Sequence, residues 1–209
     1  MPIVTISRQY GCGGSEVAER VAQALGWRLY DNSVVDSVAA RLGMTAAEVS
    51  AREERLTTLG ERFASALSLS APELTTGEYA TIPPSEERIV EMTQRVMEDA
   101  VQAGPAVLVG RGAQCMLATR TDALHVFCYA PLDALTEYAV RTLGLRPHEA
   151  RKKVIDMNAR REAYVKRHWK REWQDLANYH LCVNTAWLGL DGAAELVTRV
   201  AREKFGVDA

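Results

Sequence analysis

Arg8, Gly11, Cys12, Gly13, Gly14 and Ser15 stand close together near the start of the chain. Residues of these types, so spaced, are suited to holding the oxygens of a phosphate. The three glycines permit positive φ and a close approach of backbone to ligand, so the N–H groups of a turn can converge on an anion with no Cβ in the way. Ser15 adds a hydroxyl and Arg8 a permanent positive charge. Such a turn needs a strand to deliver it and a helix to leave it, because the first N–H groups of a helix are unpaired and carry the positive end of its dipole. Both are written beside it. Ile3 to Ile6 is a β-branched run that reads as a buried strand, and Val17, Ala18, Val21, Ala22 and Leu25 give the next segment one apolar helix face, with Gly26 as its stop.

Laid on the phosphate-loop pattern G-x-x-x-x-G-K-[ST], residues 8 to 15 keep the second glycine as Gly13 and the hydroxyl as Ser15. Arg8 takes the place of the first glycine, and Gly14 takes the place of the lysine. The dinucleotide pattern G-x-G-x-x-G, begun at Gly11, fails at Glu16. Taken alone, the glycines are also accounted for by an ordinary strand-to-helix turn. Cys12 lies where a helix N-terminus lowers a thiol pKa, so a reactive role is one expectation for it.

A second cluster points the same way. Arg141, Arg146, Arg151, Lys152, Lys153, Arg160, Arg161, Lys166, Arg167, Lys170 and Arg171 fall within one stretch, opposed there by Glu149, Asp156 and Glu162. Such a run needs solvent or an anion. The net charge of −2 argues against general nucleic-acid binding. Cys12, Cys115, Cys128 and Cys182 form no C-x-x-C pair, so neither a zinc site nor a disulfide framework is indicated, and the four histidines show no ligand spacing. With no apolar run of membrane-spanning length and an N-terminus that enters a strand directly, the expectation is a cytoplasmic protein with no membrane partner.

The elements that must position these groups alternate in type. Trp27 to Tyr30 is a short strand ending at Asp31, followed by a helix from Ser33 to Leu42 and a capping pattern Thr45-x-x-Glu48. Arg52 to Pro84 reads as helix running into a mobile loop. Ser85 caps a helix over Glu86 to Gln102, and the continuous apolar strand Ala106 to Val109 delivers Gly110-Arg111-Gly112. His125 to Tyr129 is the next strand, with a helix through Leu143, a basic helix from Pro147, a last strand Tyr179 to Val183 and a closing helix Gly192 to Phe205. Strands alternating with helices predict a doubly wound parallel sheet in one domain, 1–209, with Asp31 and Arg111 on the edge that faces the ligand crevice.

Thr5 to Ser15, Tyr30-Asp31, Val109 to Gly112 and the tail Trp173 to Leu190 together resemble the cytidylate kinase-like family, a branch of the P-loop nucleoside monophosphate kinases. The resemblance implies a three-layer α/β/α fold with a five-stranded parallel sheet, a core of 1–31, 101–143 and 177–209, a helical monophosphate-binding insert at 32–100 and an arginine-rich lid at 144–176. It implies transfer of the γ-phosphoryl of ATP, with Mg²⁺, to CMP or a similar small acceptor. The amides of Gly11, Cys12, Gly13, Gly14 and Ser15 would hold donor phosphates and the Ser15 hydroxyl would sit near the metal. Arg111 would grip the acceptor phosphate. Asp31 would lie near the acceptor or only cap the next helix, and Arg141, Arg160 and Arg161 are the lid candidates. The sequence departs from that family's kinases at Gly14, at Gly112 and Asn158 where each has an Asp, and at Val109, which ends its strand without an acid. Arg8 is a candidate replacement for the missing lysine. A phosphate-loop protein that binds a nucleotide or phosphorylated ligand as a sensor, with no turnover, is the alternative.

Overall fold

The computed structural model describes residues 1–53 and 85–207. Beyond Glu53, the helix and loop expected over Arg52 to Pro84 lie outside the described residues. Five strands, β1 (Ile3–Arg8), β2 (Arg28–Tyr30), β3 (Ala106–Val109), β4 (Ala123–Tyr129) and β5 (Leu181–Asn184), form one parallel sheet in the order β2-β3-β1-β4-β5. All five therefore end on the same edge. The register sets Ile6 beside Val109 and Arg8 beside Cys128, so the chain leaving β1 emerges in the middle of that edge.

Side chains alternate across the sheet and build a core on each face. Val4, Ile6, Val107, Val109, Val126 and Val183 point to one side, against α1 (Gly14–Leu25), α6 (Leu132–Leu143) and α8 (Thr185–Phe205). Ile3, Ala106, Leu108 and Ala123 point to the other, against α2 (Asn32–Leu42), α3 (Ala46–Glu53) and α4 (Glu86–Ala103). Burying one Val or Ile completely stabilises by roughly 1.5–3 kcal/mol, which is why β-branched strands with two apolar faces collapse between helix layers. The described parts of the 32–100 stretch thus cover a face of the sheet.

Local signals behave as their chemistry requires. Thr45 and Glu48 make the reciprocal capping box, with Glu48 N donating to Thr45 Oγ1 at 3.2 Å and Thr45 N to Glu48 Oε2 at 2.8 Å. Ser85 Oγ accepts from Arg88 N at 3.3 Å. The last strand begins at Leu181, later than expected, because Leu176–Asn178 is a 3₁₀ turn that brings the Tyr179 ring into an aromatic cluster. The closing helix begins earlier, at Thr185, where Asn184 accepts from Ala186 N and Trp187 N; Gly189, at φ 71°, breaks it before the segment that the periodicity reveals.

One helix belongs to neither layer alone. α7 (Pro147–Trp169) spans roughly 34 Å at 1.5 Å per residue. Ala150 and Val154 near its start pack into the core on the α1 side. Val165 near its end packs on the opposite side with Cys115, Phe127, Trp173 and Tyr179. Fastened at both ends, α7 crosses over the carboxyl edge of the sheet, and Asn158, Arg160 and Arg161 lie in the crossing.

Candidate active site

The turn after β1 is stitched to the end of β4. Gln9 N donates to Cys128 O at 3.0 Å and Ala130 N to Gln9 Oε1 at 3.1 Å. Gly11, at φ 86°, passes so close to α6 that a Cβ there would sit 2.5 Å from Leu135 O, so only glycine fits. The turn encloses a cavity of about 350 Å³ lined by Gly11, Gly13, Gly14, Ser15 and Glu16 on one side and by Tyr138, Ala139, Thr142 and Leu143 on the other. Tyr138 Oη donates to Glu16 Oε1, and burial together with that carboxylate pushes the Tyr138 phenol up to about 12.

Cys12 departs from expectation. Its side chain is buried away from the cavity, with Sγ 3.5 Å from Cys128 O, and its N–H donates to Gln9 O at 3.4 Å. Burial pushes the thiol up to about 11, overriding the lowering expected at a helix N-terminus. It is a core residue of the turn, and its amide serves the turn itself.

Arg8 crosses the site. A Cβ on Gly14 would lie 2.4 Å from Arg8 Cβ and 2.9 Å from Cγ, so the arginine stem occupies the space that a side chain at 14 would need. The guanidinium reaches past the loop to Asp31 Oδ1 at 3.3 Å and rests on Gly110, where a Cβ would fall 2.1 Å from Nη1. Burial draws the Arg8 pKa down, Asp31 opposes this, and Arg111 adds to the lowering. Asp31 holds the N-cap position of α2, yet its carboxylate makes no capping bond. It faces two arginines instead, because Arg111 Nη1 donates to Asp31 O at 3.2 Å and lies 4.0 Å from Oδ1.

Arg111 is held there by an unusual backbone. Gly110, Arg111 and Gly112 have φ of 72°, 52° and 72°, and the left-handed conformation costs a non-glycine residue about 1–2 kcal/mol. Such strain at the end of a strand marks a site. Here it turns Arg111 toward Asp31. Arg8 and Arg111, both partly buried, thus face the Asp31 carboxylate from two strand ends.

α7 closes on this arrangement. Arg161 Nη1 donates to Arg8 O at 2.6 Å, with its guanidinium 5.6 Å above the Tyr10 ring, and Asn158 Oδ1 accepts from Tyr10 N at 2.7 Å. The Trp169 indole covers Gly112, where a Cβ would meet Nε1 at 2.1 Å. Asp at position 112 therefore has no room under this tryptophan. Beneath α7 lies a second cavity of about 130 Å³, lined by Ser7, Arg8, Gly110, Arg111, Gly112, Gln114, Met157, Arg160, Arg161, Tyr164, Val165 and Trp173. Arg8 and Arg161 line both cavities.

Of the residues singled out from sequence, Arg8, Asp31, Arg111 and Arg161 converge, Arg160 joins them at the smaller cavity, and Gly11, Gly13, Gly14 and Ser15 line the larger one. Arg141 does not join them; it is exposed on α6, 5.4 Å above the Tyr138 ring, and lines neither cavity. Sequence reasoning missed Asn158 as a tie, having counted it as a loss. It also missed Gln114, Trp169 and Tyr138, for which only position near a motif was a signal.

The turn suits a polyphosphate: its glycines leave backbone exposed and its rim carries cations. For Mg²⁺ the fit is thinner. Ser15 is exposed in the larger cavity and supplies one hydroxyl, while among the described residues no group of three or more His, Cys, Asp or Glu side chains gathers anywhere. Mg²⁺ commonly takes few protein ligands and completes its shell with phosphate oxygens and water, so a single hydroxyl is compatible with it. Among the described residues no helix is long and apolar enough to cross a membrane.

A parallel sheet of this order, with a glycine turn leading from its central strand into a helix and arginines at the carboxyl edge, is a P-loop kinase fold. Solved structures agree. A protein from Eubacterium ventriosum ATCC 27560 superposes with a TM-score of 0.70 at 17% identity, covering 96% of this chain and 98% of the other. Shikimate kinase from Bacteroides thetaiotaomicron gives 0.50 at 14% identity, covering 95% and 97%. No curated protein matches the chain. The model of the cytidylate kinase-like family matches residues 3–186, and the chain belongs to that family.

Proposed function

We propose that this protein is a small-molecule kinase that moves the γ-phosphoryl of ATP to a nucleoside monophosphate such as CMP. The observation that carries this reading is the shared wall: Arg8 and Arg161 line both the glycine-turn cavity and the cavity beneath α7. Phosphoryl transfer needs in-line positioning and neutralisation of charge on the transferring group more than covalent chemistry. A donor in the first cavity and an acceptor in the second would meet at those two guanidiniums. Arg111, with Asp31 fixing it, would hold the acceptor phosphate by its planar fork. Arg160 would add charge from α7, which acts as the lid. Mg²⁺, with ATP, would bring charge neutralisation at the β- and γ-oxygens, with the Ser15 hydroxyl as its protein ligand.

The position of Arg8 gives the missing lysine a reason. Its stem fills the space over residue 14, so the loop holds its cation at one end, on residue 8, in place of the other. A coupled assay with ATP and each nucleoside monophosphate tests the reading: turnover of about 1–100 per second on one of them supports it. The sensor reading is favoured by one feature, the strand end at Val109 that carries no acid for the metal. Binding of ATP and a monophosphate with no product from any acceptor would establish it.

A further inference from the structure

Arg111 stands in a turn that its own sequence does not make rigid. Gly110, Arg111 and Gly112 all have positive φ, and glycines lose the most freedom when a turn is ordered. Backbone bonds fix the two ends: Gly110 N donates to Ile6 O at 3.0 Å, and Gly112 caps the short helix α5 (Ala113–Met116), its O accepting from Cys115 N at 2.8 Å and Met116 N at 3.0 Å. Side chains hold the faces. The Arg8 guanidinium lies against Gly110 and the Trp169 indole against Gly112, where an added Cβ would fall 2.1 Å from Nη1 and 2.1 Å from Nε1. Trp169 packs beside Cys115, Phe127, Val165, Trp173 and Tyr179. α7 ends one residue later, where Lys170 is left-handed at φ 56° and its N donates to Lys166 O at 3.1 Å. Among the described residues Arg111 and Lys170 are the two non-glycines with positive φ, and they adjoin the two sides of this one contact. Strained backbone collects where geometry serves function. Trp169 Nε1 is buried and finds no acceptor among the described residues, whereas a buried indole N–H is usually paired; the ring is in place for its shape.

We propose that Trp169 is a positioning residue for Arg111: the indole holds the turn that aims the guanidinium, and so ties the grip on the acceptor phosphate to the seating of α7. This rests on the kinase reading above and adds to it how the helix regulates that site. A guanidinium fork grips a phosphate by two aligned N–H groups, and a misplacement of about 1 Å is enough to spoil such an alignment. With α7 seated, the indole covers Gly112, Arg111 Nη1 donates to Asp31 O at 3.2 Å, and the fork is preset. With α7 lifted, Gly112 loses its cover and is free to take other values of φ, so the arginine no longer waits in one orientation. The coupling runs both ways: a phosphate on Arg111 favours the seated helix by the same factor as the seated helix favours the phosphate. The glycine-turn cavity is lined by neither Gly112 nor Trp169, so donor binding stands outside this coupling.

The test compares the wild-type protein with Trp169→Leu, Arg111→Ala and the double variant. AMP, CMP, GMP and UMP are titrated by calorimetry, and KM for ATP and for the tightest-binding monophosphate is measured beside kcat. A hydrogen bond to a charged group supports roughly 10- to 150-fold in affinity, and Arg111→Ala is expected to lose that factor for the monophosphate. Trp169→Leu is expected to lose at least about 5-fold, with KM for ATP within about twofold of wild type. In the Arg111→Ala background the same substitution should add less than about twofold, because the group it acts through is gone. A merely structural loss would lower kcat and spare both KM values, or move them together. Gly112→Ala, whose Cβ must push the indole aside, is the second variant and should give the same pattern, which decides the matter if Trp169→Leu does not fold. Unchanged monophosphate affinity in these variants, or a loss of equal size with and without Arg111, overturns the role of Trp169 and leaves the kinase reading standing. Arg111→Ala binding the monophosphates as well as wild type, or a wild-type protein that binds none of them, overturns the reading beneath it and the inference together.

Discussion

Restoring the lysine that phosphate loops carry is expected to damage this one. In Gly14→Lys the new Cβ would lie 2.4 Å from Arg8 Cβ and 2.9 Å from Cγ, and 3.2 Å from Cys12 Sγ. The first contact is with an atom bonded to the β1 backbone, so a rotamer change cannot clear it. Overpacking of this kind costs about 1–3 kcal/mol, which lowers the thermal midpoint by about 2–12 °C at this chain length. Arg8→Gly takes the obstructing stem away. It also strips Asp31 of its 3.3 Å partner, but Arg111 remains 4.0 Å off, so the loss is smaller than the roughly 3–5 kcal/mol of a fully buried broken pair. Arg8→Gly alone is expected to weaken ATP binding severalfold. The double variant writes G-x-x-x-x-G-K-S in full across residues 8 to 15. Denaturant melts and ATP titrations of the wild type, both single variants and the double are the assay. The double should be more stable than the sum of the singles by at least about 1 kcal/mol and should recover ATP affinity. A Gly14→Lys variant that is as stable as wild type and binds ATP more tightly, or a cycle that closes additively, would refute the steric exchange.

Further outcomes follow from the same geometry. Arg161→Ala removes a guanidinium common to both cavities and should lower kcat by at least about 10-fold, whereas Arg141→Ala, which touches neither, should stay within about twofold; steady-state kinetics of the pair decides. His125 is buried, with Nδ1 2.8 Å from Thr5 Oγ1 and its ring stacked 4.9 Å from that of His180; burial, then His180, lowers its pKa to about 4. The folded state therefore takes up fewer protons than the unfolded chain between about pH 6.5 and 4, so stability is complete above that window and falls by about 3 kcal/mol on acidification through it. Chemical denaturation against pH should show the slope, and His125→Gln should flatten it. Native alkylation at pH 8, read by peptide mass, should reach half-buried Cys182 well before Cys12, whose thiol is buried and raised to about 11.

The sheet was legible because its strands are short apolar runs and its helices are periodic. Ile3 to Ile6 and Ala106 to Val109 carry no other reading, and the Gly26 and Ser85 boundaries follow from chain stereochemistry. The errors fall where tertiary contacts override local signals. Ala123 and Leu124 belong to β4 although they follow the turn residues Thr121 and Asp122, because pairing with Ile3 and Val4 extends the strand. Tyr179 looks like strand and is an aromatic packing residue. At the site, Arg8, Asp31 and Arg111 were legible as strand-end residues of a parallel sheet. The packing of the Arg8 stem over Gly14 and the tie from Asn158 to Tyr10 were not. Each depends on a contact that the folded chain makes or fails to make, and spacing along the sequence does not encode it.

Two cavities that meet at one pair of arginines are the centre of the proposed mechanism. Adenosine and cytidine joined through five phosphates would span both on this proposal, and calorimetry against this compound is the most direct measurement. It should bind the wild-type protein far more tightly than ATP or CMP alone, and Arg161→Ala should abolish most of that gain. Affinity no greater than that of ATP, unchanged in Arg161→Ala, would contradict it.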